Sequence, residues 1–341
     1  MTARSTGLAA ALLLGGAGGS ACLLLFGGCD LCYDSVSMTE YSIGVDLGGT
    51  NYRAAAIDRN GKLLERISGT TNPMGGREAI VGEIVSAITR LRSARAGDDL
   101  AGIGVALPGF IVMETGVIMT SPNIPPFENF PARDTFQERL KTPVILENDA
   151  NAAALGEKWM GAGRDVDDLV LLTLGTGIGG GIISDGKVMH GYLGMAAELG
   201  HLTVDPNGTP CACGNTGCLE KHASATAVST MARHLSLGDN LTSEDVYKLA
   251  IGGNQQAKRI FEYMGRALGI GLAAYVQIFN FPLYLLSGGP LAAWDLFAPA
   301  MFDEVGKRSF TFRNSKTRIE KATLGSDAGL YGAARLPFPA K

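Results

Sequence analysis

The twenty residues "HLTVDPNGTPCACGNTGCLE", His201 to Glu220, hold one histidine, three cysteines and a terminal glutamate. Cys211, Cys213 and Cys218 follow a C-x-C-x4-C spacing, with His201 ten residues before the first. Three thiolates and one imidazole make a full tetrahedral zinc set. A local disulfide would leave one thiol over, and Cys211 and Cys213 are too close to bridge easily. A polar loop without metal is the alternative. Four protein ligands leave no open position for water, which marks a structural zinc and not a hydrolytic one.

Two glycine turns signal a different chemistry. In "DLGGTN", Asp46 to Asn51, Gly48 and Gly49 permit a tight turn while Thr50 and Asn51 offer donors to phosphoryl oxygens. Asp46 could hold a water of a Mg2+ ion, a cation that keeps several waters and uses few carboxylates. "GTGIGG", Gly175 to Gly180, fits the G-x-G-x-x-G dinucleotide fingerprint, but it leads into the β-branched, turn-like "IISDGKVMHG" where that fingerprint opens a helix. A strand-turn-strand reading leaves the N–H groups of Thr176 and Gly177 to face a phosphate. A glycine-rich hairpin with no ligand is the plainer alternative. Two such hairpins, one in each half, imply a nucleotide held across a cleft. A Walker lysine loop, a G-x-S-x-G elbow and an H-E-x-x-H helix are absent. Asp149, between a strand and an alanine-rich helix, reads either as a helix cap or as a catalytic carboxylate. His190, His222 and His234 carry no pattern and read as surface or satisfied core residues; Trp159 and Trp294 read as packing.

The elements that must position these groups follow from periodicity. "YSIGVD", "YRAAAID" and "KLLERIS" read as strands, and Ile80, Ile84, Ile88 and Leu91 repeat at helical spacing over 76–93. "GIGVALPG" and "TPVILEND" are buried strands, the second running into a helix at "ANAAALGEKWM". "DLVLLTL", the loop "GTGIGGG" and the strand "GIISDG" then echo the opening. Helices follow near 222–236, 243–250 and 255–279, then the strand "LYLLSGG", a helix after Pro290 and a last helix from Asp327 to Arg335. Strands alternating with helices indicate an α/β architecture, and the echo indicates two related halves.

A chain of 341 residues with 46% hydrophobic content supplies core for two domains. A net charge of −4 without a Lys/Arg cluster argues against a nucleic-acid surface, and no stretch in 38–341 reads as a membrane span. Residues 1–37 carry Cys22, Cys29 and Cys32 in an apolar, glycine-rich segment resembling a signal peptide. Met38, opening "MTEYSIGVDLGG", offers a cytosolic start, so 1–37 reads as an over-extended start or unstructured leader, with export or anchoring as the alternative.

"GVDLGGTN", "ALPG", "ENDANAAALGE", "LGTGIGGG", "AAELGHL", "CACGNTGCLE" and "LLSGG" together resemble the ROK family (repressor, open reading frame, kinase), over nearly all of 41–337. Within it the similarity is greatest to the ATP-dependent glucokinases. The resemblance implies a two-domain, actin-like and hexokinase-like (ribonuclease H-like) fold with an interdomain cleft. It divides the chain into a small domain, 41–152 plus 325–337, and a larger one, 153–324, carrying the zinc motif. It implies Asp149 as general base, with Gly109, Asn123, Asn148, Glu198, His201 and Glu220 as sugar contacts. Asp46, Gly48, Gly49, Thr50, Asn51, Thr176, Gly177 and Gly288 fall on the nucleotide side, and His201, Cys211, Cys213 and Cys218 hold zinc. The substrates implied are ATP, with Mg2+, and a hexose, D-glucose first, with N-acetylhexosamine, mannose or fructose as alternatives. A homodimer or higher homo-oligomer and a cytoplasmic location are also implied. A non-catalytic sugar-binding regulator is the reading from another class; repressors of the family carry an N-terminal helix-turn-helix, whereas 1–37 is apolar and glycine-rich.

Overall fold

The computed structural model describes residues 38–339; the reading of 1–37 as a leader lies outside the described residues. The chain opens with a meander, β1 (Glu40–Leu47), β2 (Asn51–Asp58) and β3 (Leu63–Thr70), then α1 (Gly76–Ala94) and β4 (Asp99–Leu107). Three short strands, β5 (Phe110–Val112), β6 (Val117–Thr120) and β7 (Phe130–Pro131), form a small sheet before α2 (Ala132–Leu140), β8 (Val144–Asn148) and α3 (Asp149–Met160). A second meander follows: β9 (Leu169–Leu174), β10 (Ile178–Ser184) and β11 (Lys187–Val188). Four helices, α4 (Glu220–Ala223), α5 (Ala225–His234), α6 (Ser243–Ile251) and α7 (Gln255–Phe279), come before β12 (Leu283–Ser287). The chain closes with α8 (Trp294–Arg308), α9 (Phe310–Asn314), β13 (Arg318–Lys321) and α10 (Ala328–Arg335).

The two five-stranded sheets have one topology. Their orders are β3-β2-β1-β4-β8 and β11-β10-β9-β12-β13. In each, the meander strands pair antiparallel while the last two strands add in parallel. The echo expected from the two glycine-turn segments is therefore structural. One core packs α1 and α2 on the first sheet through Ile80, Ile84, Ile88, Leu91 and Phe136; the other packs α5–α8 on the second around Phe261, Leu268 and Phe297.

Helices α3 and α10 lie together between these layers, and glycines set how close they come. Gly44 and Gly104 are register partners on β1 and β4, and a Cβ on either would collide with the backbone of α10. Gly181 on β10 leaves the same room for Ala150 and Ala154 of α3, and Gly332 and Gly156 let the two helices touch at Ala152 and Ala328. Ser42 Oγ donates to Ala334 O at 2.5 Å, pinning α10 to the first sheet. We propose that the division between the two halves runs along this crossing, near the boundaries expected at 152 and 325.

The helix expected at 222–236 is two helices, broken at Ser224, whose Oγ caps α5 by accepting from Ala227 N–H. "GTGIGGG" is only partly a loop: β10 begins at Ile178, so Gly179 to Gly181 are strand residues. Helix α2, the sheet β5–β7 and β13 were not expected. In α2 the apolar signal is three buried residues, Ala132, Phe136 and Leu140, among charges; β13 buries only Ile319.

Candidate active site

The first glycine turn joins β1 to β2. Gly48 N–H donates to Asn51 O at 2.9 Å, Thr71 N–H to Thr50 O at 2.8 Å, and Thr71 Oγ1 to Gly48 O at 2.8 Å. Asp46, at the strand end, faces Arg53 at 3.2 Å, and Arg53 also donates to Ser326 O at 2.8 Å. Burial pushes the Asp46 carboxyl up to about 6 against the pull of Arg53, with Asp149 and Asp327 adding to the rise. Asp46 and Asp149 share a cavity of about 500 Å3 with Thr173, Ser287, Gly288 and Gly329 on its walls.

Asp149 opens α3 directly after β8. The alternative reading of it as the cap is corrected by geometry: Asn148 is the N-cap, its side chain accepting from Ala150 N–H at 2.9 Å and Asn151 N–H at 3.2 Å. Asn148 Nδ2 donates to Gly109 O at 3.3 Å, so both ends of that amide are engaged. Asp149 is held by Ala150 N–H at 2.9 Å. Burial raises its carboxyl above the usual range, partly offset by that backbone hydrogen bond and by Asn148. A carboxylate of raised basicity lining a cavity is suited to accept a proton from a bound hydroxyl.

From the second half, Glu198 follows Ala197, whose φ of +68° lies in the left-handed region. His201 Nε2 lies 3.9 Å from Glu198, and its other nitrogen, Nδ1, is 3.6 Å from Cys211 Sγ. Glu220 begins α4 and reaches the second glycine turn, accepting from Ile178 N–H at 3.1 Å beside Gly177. That turn is closed by Gly175 N–H to Gly177 O at 2.9 Å, and Gly175 O accepts from Ala225 N–H at 2.8 Å. Burial raises the Glu198 carboxyl; His201 lowers it, while Asp149 and Glu220 raise it. Glu198 thus feels the charges of Asp149 and Glu220, and Asp46 feels that of Asp149. Such a set of carboxylates suits a ligand rich in hydroxyl donors.

The donor atoms of His201, Cys211, Cys213 and Cys218 all lie within 4.8 Å of one another, with Cys213 and Cys218 sulfurs 3.6 Å apart. Zinc–sulfur bonds of about 2.3 Å in a tetrahedron put neighbouring donors roughly 3.5–4 Å apart, so the set fits zinc. The clasp is built by β-bridges at Thr203 with Cys218 and at Pro210 with Thr216, and by Cys211 N–H donating to Asn215 O at 2.8 Å. His201 and Glu220 stand at its two ends.

Asp46, Asp149 and Gly288 line the cavity. Gly288, at φ +108°, presses on Leu174 where a Cβ would not fit. Asn123 abuts Gly49, and Gly109 meets Asn148. Among the described residues, no hydrogen bond joins Asn123 or Gly109 to Glu198, His201 or Glu220. Thr50, Asn51 and Thr176 are exposed at their turns. Residues that sequence reasoning missed are Thr173 and Ser287 on the cavity wall, Arg53 beside Asp46, and the pair His190–Glu147 at 2.7 Å. Ser287 stood within "LLSGG" and Glu147 within "ENDANAAALGE"; the others had no local signal.

The chain matches the model of the ROK family over residues 42–338. It is 36% identical to a glucokinase of Halalkalibacterium halodurans, over 87% of this chain and 94% of that protein. The crystal structure of a ROK hexokinase from Thermus thermophilus superposes with a TM-score of 0.77 at 35% identity, covering 86% of this chain and 96% of the other. A ROK family glucokinase from Streptomyces griseus, in complex with glucose and AMPPNP, superposes with a TM-score of 0.68 at 33% identity, covering 87% and 98%. Transcriptional repressors and regulators also match.

Proposed function

From a chain that belongs to the ROK family and has the actin-like fold of its sugar kinases, we propose an enzyme that transfers the γ-phosphoryl group of ATP to the 6-hydroxyl of D-glucose. That it is an ATP-dependent hexose kinase follows from its relatives; the sugar, the residues and their roles are our reading. The observation that carries it is Asp149, a carboxylate of raised basicity sharing a cavity with Asp46.

In this reading Asp149 accepts the proton of the sugar hydroxyl as its oxygen bonds to the γ-phosphorus and the bond to the β–γ bridging oxygen breaks, giving sugar phosphate, ADP and a proton later lost to water. Base catalysis of this kind contributes about 10²–10⁴. Asn148, Glu198, His201 and Glu220 hold sugar hydroxyls, with Gly109 and Asn123 closing from the first half. The turns at Gly48–Asn51 and Thr176–Gly177, and Gly288, present backbone donors to the nucleotide. Asp46 is the residue to hold a hydrated Mg2+, which would supply charge neutralisation on the phosphates. Zinc in the clasp would fix His201 and Glu220 before the sugar arrives. We place the enzyme in the cytoplasm as a homodimer or larger homo-oligomer; no helix among the described residues is long and apolar enough to cross a membrane.

The test is ADP release with and without sugar, in wild type and Asp149→Asn. The amide keeps the shape but cannot take the proton, so kcat is expected to fall by about 10²–10⁴ while sugar and ATP still bind. A variant within about threefold of wild type removes Asp149 from the base role. A wild type that binds sugar without ATP turnover would favour the regulator.

A further inference from the structure

Glu147 is a charged side chain only 1% exposed, and no step above uses it. Its Oε1 accepts from Asn148 N–H at 2.9 Å and from Asn151 Nδ2 at 3.1 Å; its Oε2 meets His190 Nε2 at 2.7 Å. Glu147 ends β8 of the first sheet, whereas His190 follows β11 of the second. His190 O in turn accepts from Ala196 N–H at 3.1 Å, which closes residues 190–196 into a loop ending two residues before Glu198. Gly194, inside that loop at φ +86°, sits against Ile111 and Met113 of the first half, where a Cβ would not fit. One imidazole therefore ties together the two chain segments that carry Asn148–Asp149 and Glu198.

We propose that the Glu147–His190 pair is a positioning clamp for the sugar, holding the strand end that bears Asn148 and Asp149 in register with the loop that delivers Glu198. The inference rests on the sugar-kinase reading. Glu147 already fixes the peptide of Asn148 and the side chain of Asn151, so its own position is set from α3. His190 copies that position onto the loop. Donating to the Glu147 carboxylate raises the imidazole's basicity against the opposing effect of burial, which favours the charged, stronger form of the contact. Without the imidazole, one oxygen of a sealed carboxylate loses its donor and the loop loses its tie to β8. The ternary arrangement of hydroxyl partners must then be ordered at the expense of sugar affinity. The nucleotide turns lie on other segments and keep their geometry.

The experiment compares the full chain with His190→Phe and His190→Gln, whose amide nitrogen can take the place of Nε2. Steady-state kinetics give separate KM values for sugar and ATP, and hydrogen–deuterium exchange follows residues 190–198. For His190→Phe the sugar KM is expected to rise about tenfold or more, the ATP KM to stay within about threefold, and exchange at Ala196–Glu198 to quicken. His190→Gln is expected to restore both readouts. Unchanged sugar KM in His190→Phe, or equal losses for sugar and ATP with no rescue by Gln, overturns the clamp. If His190→Phe does not fold, His190→Asn, too short to reach Glu147, carries the same comparison. Wild type that phosphorylates no hexose defeats the kinase reading instead, while the exchange arm still reports on the tie.

Discussion

At the residue scale, the energetics centre on carboxylates kept in a space that disfavours their charge. Asp46, with its carboxyl at about 6, is ionised at neutral pH at a cost to folding, because the same group titrates near 3.9 in an unfolded chain. A raised carboxylate favours the folded state when protonated, so its burden is absent below about 4 and grows as the pH rises through about 6. Asp46→Asn is therefore expected to raise stability by on the order of 2–3 kcal/mol at pH 7.5, fading to nothing towards pH 4, in denaturant titrations at both pH values. A gain that persists at pH 4 would mean that the effect is not electrostatic. Arg53 is the cation that restrains this shift. Arg53→Gln is expected to move the acid limb of kcat/KM for ATP to higher pH, read from a pH–rate profile; an unmoved limb would separate Asp46 from nucleotide use. The cysteines and glycine turns were legible because their types and spacing are local, whereas Asp149, Glu198 and Glu220 were reached only through the resemblance to the family. His190 was not legible, because its partner Glu147 lies 43 residues away and only the packing of one half against the other joins them.

At the element scale, close approach of helices to sheets depends on missing side chains. Gly104→Ala would drive a Cβ into Ala333 O of α10, and Gly44→Ala would do so at Leu330 O. Either is expected to destabilise the fold by about 2 kcal/mol or more, the range of overpacked cores, measured as a shift of the urea midpoint. Gly82, inside α1 with open space where a Cβ would sit, is the control: Gly82→Ala is expected to stabilise by about 0.5–1 kcal/mol. The zinc clasp is an element in the same sense. Cys213→Ser should lower bound zinc from about one per chain, read by elemental analysis, and lower Tm with it, since structural zinc contributes directly to folding. A wild-type chain that is fully active with no zinc would contradict this. Strong apolar periods placed α1 and α7 within a residue and the central strands within about three. Helix α2 and strand β13 escaped because each buries so little that its pattern is mostly polar. The break at Ser224 escaped because a cap inside a helical run leaves the apolar period intact.

At the scale of the whole molecule, one topology used twice opens each copy with a glycine turn after its first strand, and helices α3 and α10 pack against one another beside both sheets. The sequence echo made the duplication readable, since each copy begins with the same strand, turn and strand. The tie between the halves through Glu147 and His190 has no such signature. Sugar choice is a property of this scale too, because the hydroxyl partners we propose come from both halves: Asn123 and Asn148 from the first, Glu198, His201 and Glu220 from the second. In such a site each mispaired hydroxyl leaves a buried polar group unsatisfied, at about 1–3 kcal/mol. The most direct measurement is kcat/KM from ADP release, side by side for glucose, mannose, fructose, N-acetylglucosamine and N-acetylmannosamine. Glucose is expected to give the highest value, with one ADP per glucose 6-phosphate formed; any other sugar exceeding glucose tenfold would contradict the proposed substrate, and no release with any of the five would contradict the kinase.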